Sequence, residues 1–279
     1  MAKTWPGRLA VIIVACCAGC AVSPWSPEGR QKSDALLAAQ ESAVERAKAA
    51  GGRKVIFAAF ALHSESTAFQ GDAVLARDAL RSINAQMPVF LLSNQLEHFS
   101  IAYPFATKRN VKAVLASIAR RADRDSLVML LFTSHGSPYE LAIKTGYGEY
   151  KESLSAADLQ EYLAPLGTVP TIIVVSACFS GSLVPALSGE NRVVMTSAAR
   201  DRSSFGCNPE SEGTYFIRAL FSSDLDPSAS LFAMFRRASL RVAEREKGKK
   251  LKPSQPQLFI GNGMARNASI PLRDLLTRE

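Results

Sequence analysis

Two nearly uninterrupted apolar segments, Ser126–Phe132 (SLVMLLF) and Thr171–Val175 (TIIVV), constrain this chain most. A strand with one wet face alternates apolar and polar residues. A run without alternation needs cover on both faces, as strands inside a largely parallel sheet have. The segments around them keep that rhythm. Val55–Phe60 reads as a strand after Gly51-Gly52, and Ala76, Ala79, Leu80 and Ile83 repeat at helical spacing behind it. Pro88–Leu92 is a second strand. Thr107 is placed to cap a helix striped by Val111, Val114, Leu115 and Ile118. Leu154–Leu163 reads as a helix ended by Pro165, Val193–Thr196 as a strand, Leu231, Phe235, Ala238 and Val242 as the stripe of a long helix, and Gln257–Ile260 as a sixth strand. The pattern predicts an α/β three-layer sandwich with about six strands.

Composition agrees with a packed domain: of 279 residues, 47% are hydrophobic and 21% charged, which excludes a disordered or collagen-like chain. No run of eighteen apolar residues marks a polytopic membrane protein. Five Cys without a C-x-x-C pair after residue 20 argue against a zinc site or a disulfide framework, and only three His (His63, His98, His135) argue against a His-rich metal centre.

The N-terminus has the form of a targeting segment. Lys3 and Arg8 precede a short apolar core, Leu9–Ala15, and Cys17-Ala18-Gly19-Cys20 comes next. Small residues before a Cys are similar to a bacterial lipobox, although Cys17 stands where Leu is usual. The expected processing removes residues 1–19 and lipidates Cys20. Ala21, rather than Asp, then points to a Gram-negative outer membrane, with the protein facing the periplasm. Acyl chains contribute about 0.8 kcal/mol per buried CH₂ to such an anchor. Processing removes Lys3 and Arg8 and lowers the formal charge from +8 by two, to +6. Residues 21–33, with Pro24, Pro27 and Gly29, read as a tether, and 20–50 as anchor, tether and leading helix before a single domain over 51–279. The basic run Arg241–Lys252 lacks interleaved aromatics and reads as a solvated helix end, so no nucleic-acid partner is expected.

Function in such a sheet gathers at the C-terminal ends of its central strands. There stand Phe132-Thr133-Ser134-His135-Gly136-Ser137 and Val175-Ser176-Ala177-Cys178-Phe179-Ser180-Gly181-Ser182. Taken singly, a Cys after an apolar run is a small buried hydrophobe, and a His in such a place is a hydrogen-bonded structural residue. Together, closing adjacent strands about 4.8 Å apart, they suit nucleophilic catalysis. A free thiol is mostly protonated at neutral pH, and an imidazole and a following helix N-terminus, expected over Ser180–Leu187, would raise its thiolate fraction. Gly136, lacking Cβ, lets backbone N–H groups approach a developing oxyanion.

These two motifs resemble the catalytic blocks of legumain-type cysteine peptidases, relatives of caspases, gingipains, separase and the GPI-anchor transamidase subunit. A third block, Thr196-Ser197-Ala198-Ala199 through Ser203-Ser204-Phe205-Gly206-Cys207, followed by Gly213-Thr214-Tyr215, agrees. The resemblance spans roughly residues 53–262 and is greatest to bacterial lipoprotein members. It implies a caspase-like fold and hydrolysis of peptide or protein substrates by a Cys178/His135 dyad, with the N–H groups of Gly136 and Cys178 as oxyanion hole and with no metal or cofactor. It also places Ser176, Ser203, Ser204 and Arg218 around the substrate side chain. Legumain carries acids at the positions of Ser176 and Arg218, so acceptance of Asp at P1 at least as well as Asn is expected here. His63 falls where the family orients its catalytic His, without the family's Asn. Two other readings stay open: an inactive binding module using the same cleft, and a transamidase or ligase in which an amine replaces water.

Overall fold

The computed structural model describes residues 25–47, 54–96, 100–146, 150–222 and 224–277. Cys20, the expected leader and His98 lie outside them. In chain order the elements are α1 (Pro27–Arg46), β1 (Val55–Ala61), α2 (Thr67–Arg81), β2 (Val89–Ser93), α3 (Lys108–Ala119), β3 (Leu127–Thr133), β4 (Gly136–Ser137), β5 (Glu140–Thr145), β6 (Tyr150–Ser155), α4 (Ala156–Leu163), β7 (Thr171–Ser176), α5 (Val184–Leu187), β8 (Arg192–Thr196), α6 (Tyr215–Leu220), α7 (Leu231–Gly248), β9 (Gln257–Ile260), α8 (Ala265–Ser269) and α9 (Leu272–Thr277).

Six strands form one sheet in the order β2-β1-β3-β7-β8-β9. All its pairings are parallel except β8 with β9. Alternation along each strand divides two cores. Phe57, Ala59, Met129, Leu131, Ile172 and Val174 face one layer, with Phe69, Ala73, Ala76 and Leu80 of α2 and the buried stripes of α6 and α7. Ile56, Phe60, Leu130, Phe132, Ile173 and Val175 face the other, beneath α1, α3 and α4. The result is the expected three-layer sandwich.

Local chemistry sets the boundaries. The Ser155 side chain accepts from the Asp158 N–H while Asp158 accepts from the Ser155 N–H, a capping box that starts α4 at Ala156. Leu154, expected in that helix, instead pairs with Leu141 in a separate antiparallel sheet, β4-β5-β6, that periodicity alone did not reveal. Pro27 fills a first-turn position behind the cap Ser26, so residues 27–33 are helix and not tether. Along α1, Gln40 acts as a strand surrogate for the sheet edge: its Nε2 donates to the Leu91 carbonyl (2.9 Å) and its Oε1 accepts from the Leu91 N–H (3.0 Å). That satisfies part of the otherwise open β2 edge.

Candidate active site

Thr133 of β3 and Ser176 of β7 are register partners. His135 and Cys178 each come two residues later, so the same strand pairing delivers both to one rim. Beyond β3 the chain turns directly into β4, and Gly136 packs onto the backbone of Cys178. A Cβ at Gly136 would lie 2.4 Å from the Cys178 carbonyl oxygen and 3.0 Å from Ala177 Cβ, so only glycine fits this approach.

The Cys178 loop is held from below by the block that opens at Thr196. Ser197 Oγ donates to the Ala177 carbonyl and accepts from the Ala177 N–H, both at 3.0 Å. The Ala198 N–H donates to Ser180 Oγ at 3.1 Å. Phe179 takes the left-handed conformation (φ 56°), and a Cβ on Gly181 would come within 2.7 Å of the Arg200 nitrogen. The turn is therefore sharp and tightly backed. It leads into a 3-10 turn, Ser180–Leu183, and then the four residues of α5, not one α-helix over Ser180–Leu187. So few aligned peptides supply little macrodipole. The nearer polar influence on sulfur is Ser204. Its N–H points at Cys178 Sγ at 3.3 Å, its carbonyl accepts from Sγ at 3.6 Å, and its hydroxyl lies 3.9 Å away.

The His135 ring is fixed by two edge-on neighbours, His63 at 4.6 Å between centroids and Phe69 of α2 at 5.0 Å. Burial lowers the pKa of His135. His63 is lowered further, to about 4, by its own burial and then by the charges of His135, Lys144 and Lys151. His63 therefore stays neutral at physiological pH and places no cation beside His135. Its backbone is set by buried Asn94, whose Nδ2 donates to the Leu62 carbonyl at 2.7 Å and whose Oδ1 accepts from the Ala106 N–H at 2.8 Å.

The remaining expected substrate residues fall in different places. Ser204 touches the Cys178 sulfur, and Ser203 is exposed beside it. Ser176 is fully buried and its hydroxyl is engaged with Thr214 Oγ1 at 2.9 Å, away from any incoming side chain. Arg218, on α6, pairs with exposed Glu212 at 3.1 Å. Beneath them lies a residue that the motifs do not include: Asp72 of α2, fully buried, which accepts from Thr133 Oγ1 and from both the N–H and hydroxyl of Thr214. A carboxylate on the same buried stripe as Phe69, Ala73, Ala76 and Leu80 was the available signal, since buried acids are rare unless paired or hydrogen-bonded. Cys207 is a second free thiol, half-buried, its pKa raised by burial and then by Cys178. Among the described residues no group of three or more His, Cys, Asp or Glu side chains could hold a metal ion.

The Peptidase C13 family model matches residues 108–266, more than half the chain and inclusive of every motif residue just described from His135 onward. The protein belongs to the Peptidase C13 family. That is the legumain family, a family of cysteine peptidases. Among solved structures, the crystal structure of caspase-1 from Spodoptera frugiperda superposes with a TM-score of 0.52 at 13% identity, covering 75% of this chain and 86% of that one. At that identity the likeness concerns the fold alone, and it makes this C13 protein's sandwich caspase-like. No curated protein matches the chain.

Proposed function

We propose that this C13-family protein is a cysteine endopeptidase acting through Cys178 and His135. The observation that carries the reading is the delivery of both residues, by register-paired strands, to the rim where Gly136 packs against the Cys178 carbonyl. His135, its pKa lowered by burial, is neutral near pH 7 and able to take a proton. As Cys178 Sγ attacks the substrate carbonyl, the thiol proton passes to His135. The N–H groups of Gly136 and Cys178 face the oxygen that gains charge. Collapse breaks the C–N bond, and the His135 proton goes to the departing amine, leaving a thioester on Sγ. Water then attacks the thioester, His135 takes its proton and returns it to sulfur, and the acid product leaves.

Purified Cys178→Ala and His135→Ala proteins should each lose at least about 10³-fold in turnover of a peptide library while keeping the wild-type melting temperature. Cleavage at wild-type rate by Cys178→Ala would end this reading. The sequence of the N-terminus supports a lipid anchor at Cys20 that holds this peptidase in the bacterial envelope.

A further inference from the structure

We propose that Asp72 is the positioning residue of the dyad, a buried carboxylate on α2 that ties the ends of the two strands carrying His135 and Cys178 through Thr133 on one side and Thr214–Ser176 on the other. The proposal rests on the peptidase reading for its consequence and on geometry for its substance. Three acceptor bonds converge on Asp72: from Thr133 Oγ1 at 2.7 Å, the Thr214 N–H at 2.8 Å and Thr214 Oγ1 at 2.9 Å. Thr214 Oγ1 gives its one proton to the carboxylate, so in its 2.9 Å contact with Ser176 Oγ it must accept. Ionised Asp72 thus sets the direction of every hydroxyl in the chain. Thr133 and Ser176 sit two residues before His135 and Cys178 and, with a strand period of two, point to the same face as the α2 layer. One helix supplies both supports, because Phe69, three residues before Asp72, packs against the His135 ring.

Among the described residues, the charge that acts on Asp72 is that of Arg218. Arg218 on α6 favours the carboxylate, and the thiol of Cys207, in the loop after β8, is pushed up by burial, then by Cys178, and least by Asp72. Burial outweighs Arg218 and the three hydrogen bonds, and raises Asp72 from an ordinary 3.8 to about 7. On protonation the carboxyl becomes a donor, so at least one hydroxyl must reverse and the tie to a strand end is rearranged. The stability consequence has the opposite sign. An acid raised on folding binds more protons folded than unfolded between the two values, so this group's contribution is most favourable below 3.8 and declines as pH rises to about 7. The form that aligns the dyad is therefore the form less favourable to folding.

The test reads Cys178 itself. Alkylation of the full chain by iodoacetamide, quantified on the Cys178 peptide by mass spectrometry, should show an inflection near pH 7 in the wild type. Asp72→Asn should abolish the inflection and lower kcat/KM at least tenfold through kcat, with KM within about twofold. Thr133→Val, which is isosteric and removes one of the bonds that lower Asp72, should move the inflection to higher pH, and Thr133→Ser should restore it. A wild-type profile in both Asp72→Asn and Thr133→Val overturns the proposal, as does a uniform slowing at all pH values, which is what loss of mere structural support would give. Failure of the wild type to cleave any peptide would refute the peptidase reading, while the alkylation profiles would still decide for or against Asp72.

Discussion

Gly136→Ala is the sharpest structural test of the rim. The added Cβ would stand 2.4 Å from the Cys178 carbonyl oxygen. An ordinary carbon–oxygen approach is about 3.3–3.6 Å, so β4 and the Cys178 loop must part by roughly 1 Å. Neither side yields easily. The Cys178 loop is backed by Ser197 and by the Ala198 N–H that donates to Ser180, and β4 is paired through Gly136 to Leu141. A misplacement of 1 Å costs about 10²-fold in rate, and loss of one oxyanion donor costs about 10²–10³-fold. The fall should appear in kcat, because the donor acts on charge that exists only in the transition state. Overpacking of this kind costs about 1–3 kcal/mol, which lowers the melting temperature by a few degrees and leaves the protein folded at 25 °C. Steady-state kinetics with a fluorogenic peptide, beside a thermal melt, measure both. Gly248→Ala is the control, since a Cβ there meets nothing within 4 Å; at the end of α7 it should leave the rate unchanged and the melting temperature no lower than wild type. Gly136→Ala with kcat within about threefold of wild type would refute the placement of Gly136 against the nucleophile.

Gln40→Ala removes both side-chain bonds to Leu91 and reopens that stretch of the β2 edge; it should cost about 1–3 kcal/mol, read as a lower melting temperature, with concentration-dependent self-association by light scattering. An unchanged melt would show that water replaces Gln40 without loss. Cys20→Ala should yield protein that takes up no radiolabelled palmitate in a bacterial host and partitions away from membranes; label retained by that variant would remove Cys20 as the anchor.

The sheet was legible because its central strands are apolar on both faces, a pattern that few other architectures tolerate. The shared rim position of His135 and Cys178 was legible for a related reason: they are the polar endings of two such runs, and the register Thr133↔Ser176 then brings them together. The hairpin sheet was not legible. Its strands are short and half-wet, and Leu154 satisfies helical and strand spacing equally until the Ser155–Asp158 capping box fixes where the helix begins. The helix expected after Cys178 failed for a steric cause, because the left-handed Phe179 and the close approach of Gly181 to Arg200 allow only a tight 3-10 turn first.

The polar residues around the motifs obey a different logic. Ser176 occupies a position where its family resemblance places a substrate-facing acid, yet here its hydroxyl is directed inward to Thr214 and from there to Asp72. The acid is thus present near that strand end, but it comes from α2, more than a hundred residues earlier in the chain, and it is fully enclosed. Asp72 is fully enclosed and out of reach of a substrate side chain, and its three donors come from Thr133 and Thr214, so its effect passes through the strand ends that carry His135 and Cys178. Pairwise spacing could not show this, because the contact joins a helix, two strand ends and a helix cap. A charged residue three positions from Phe69 on the buried stripe of an amphipathic helix does show that some polar partner has to be buried with it. That requirement marks Asp72 as needing buried partners, and the fold supplies them from Thr133 and Thr214.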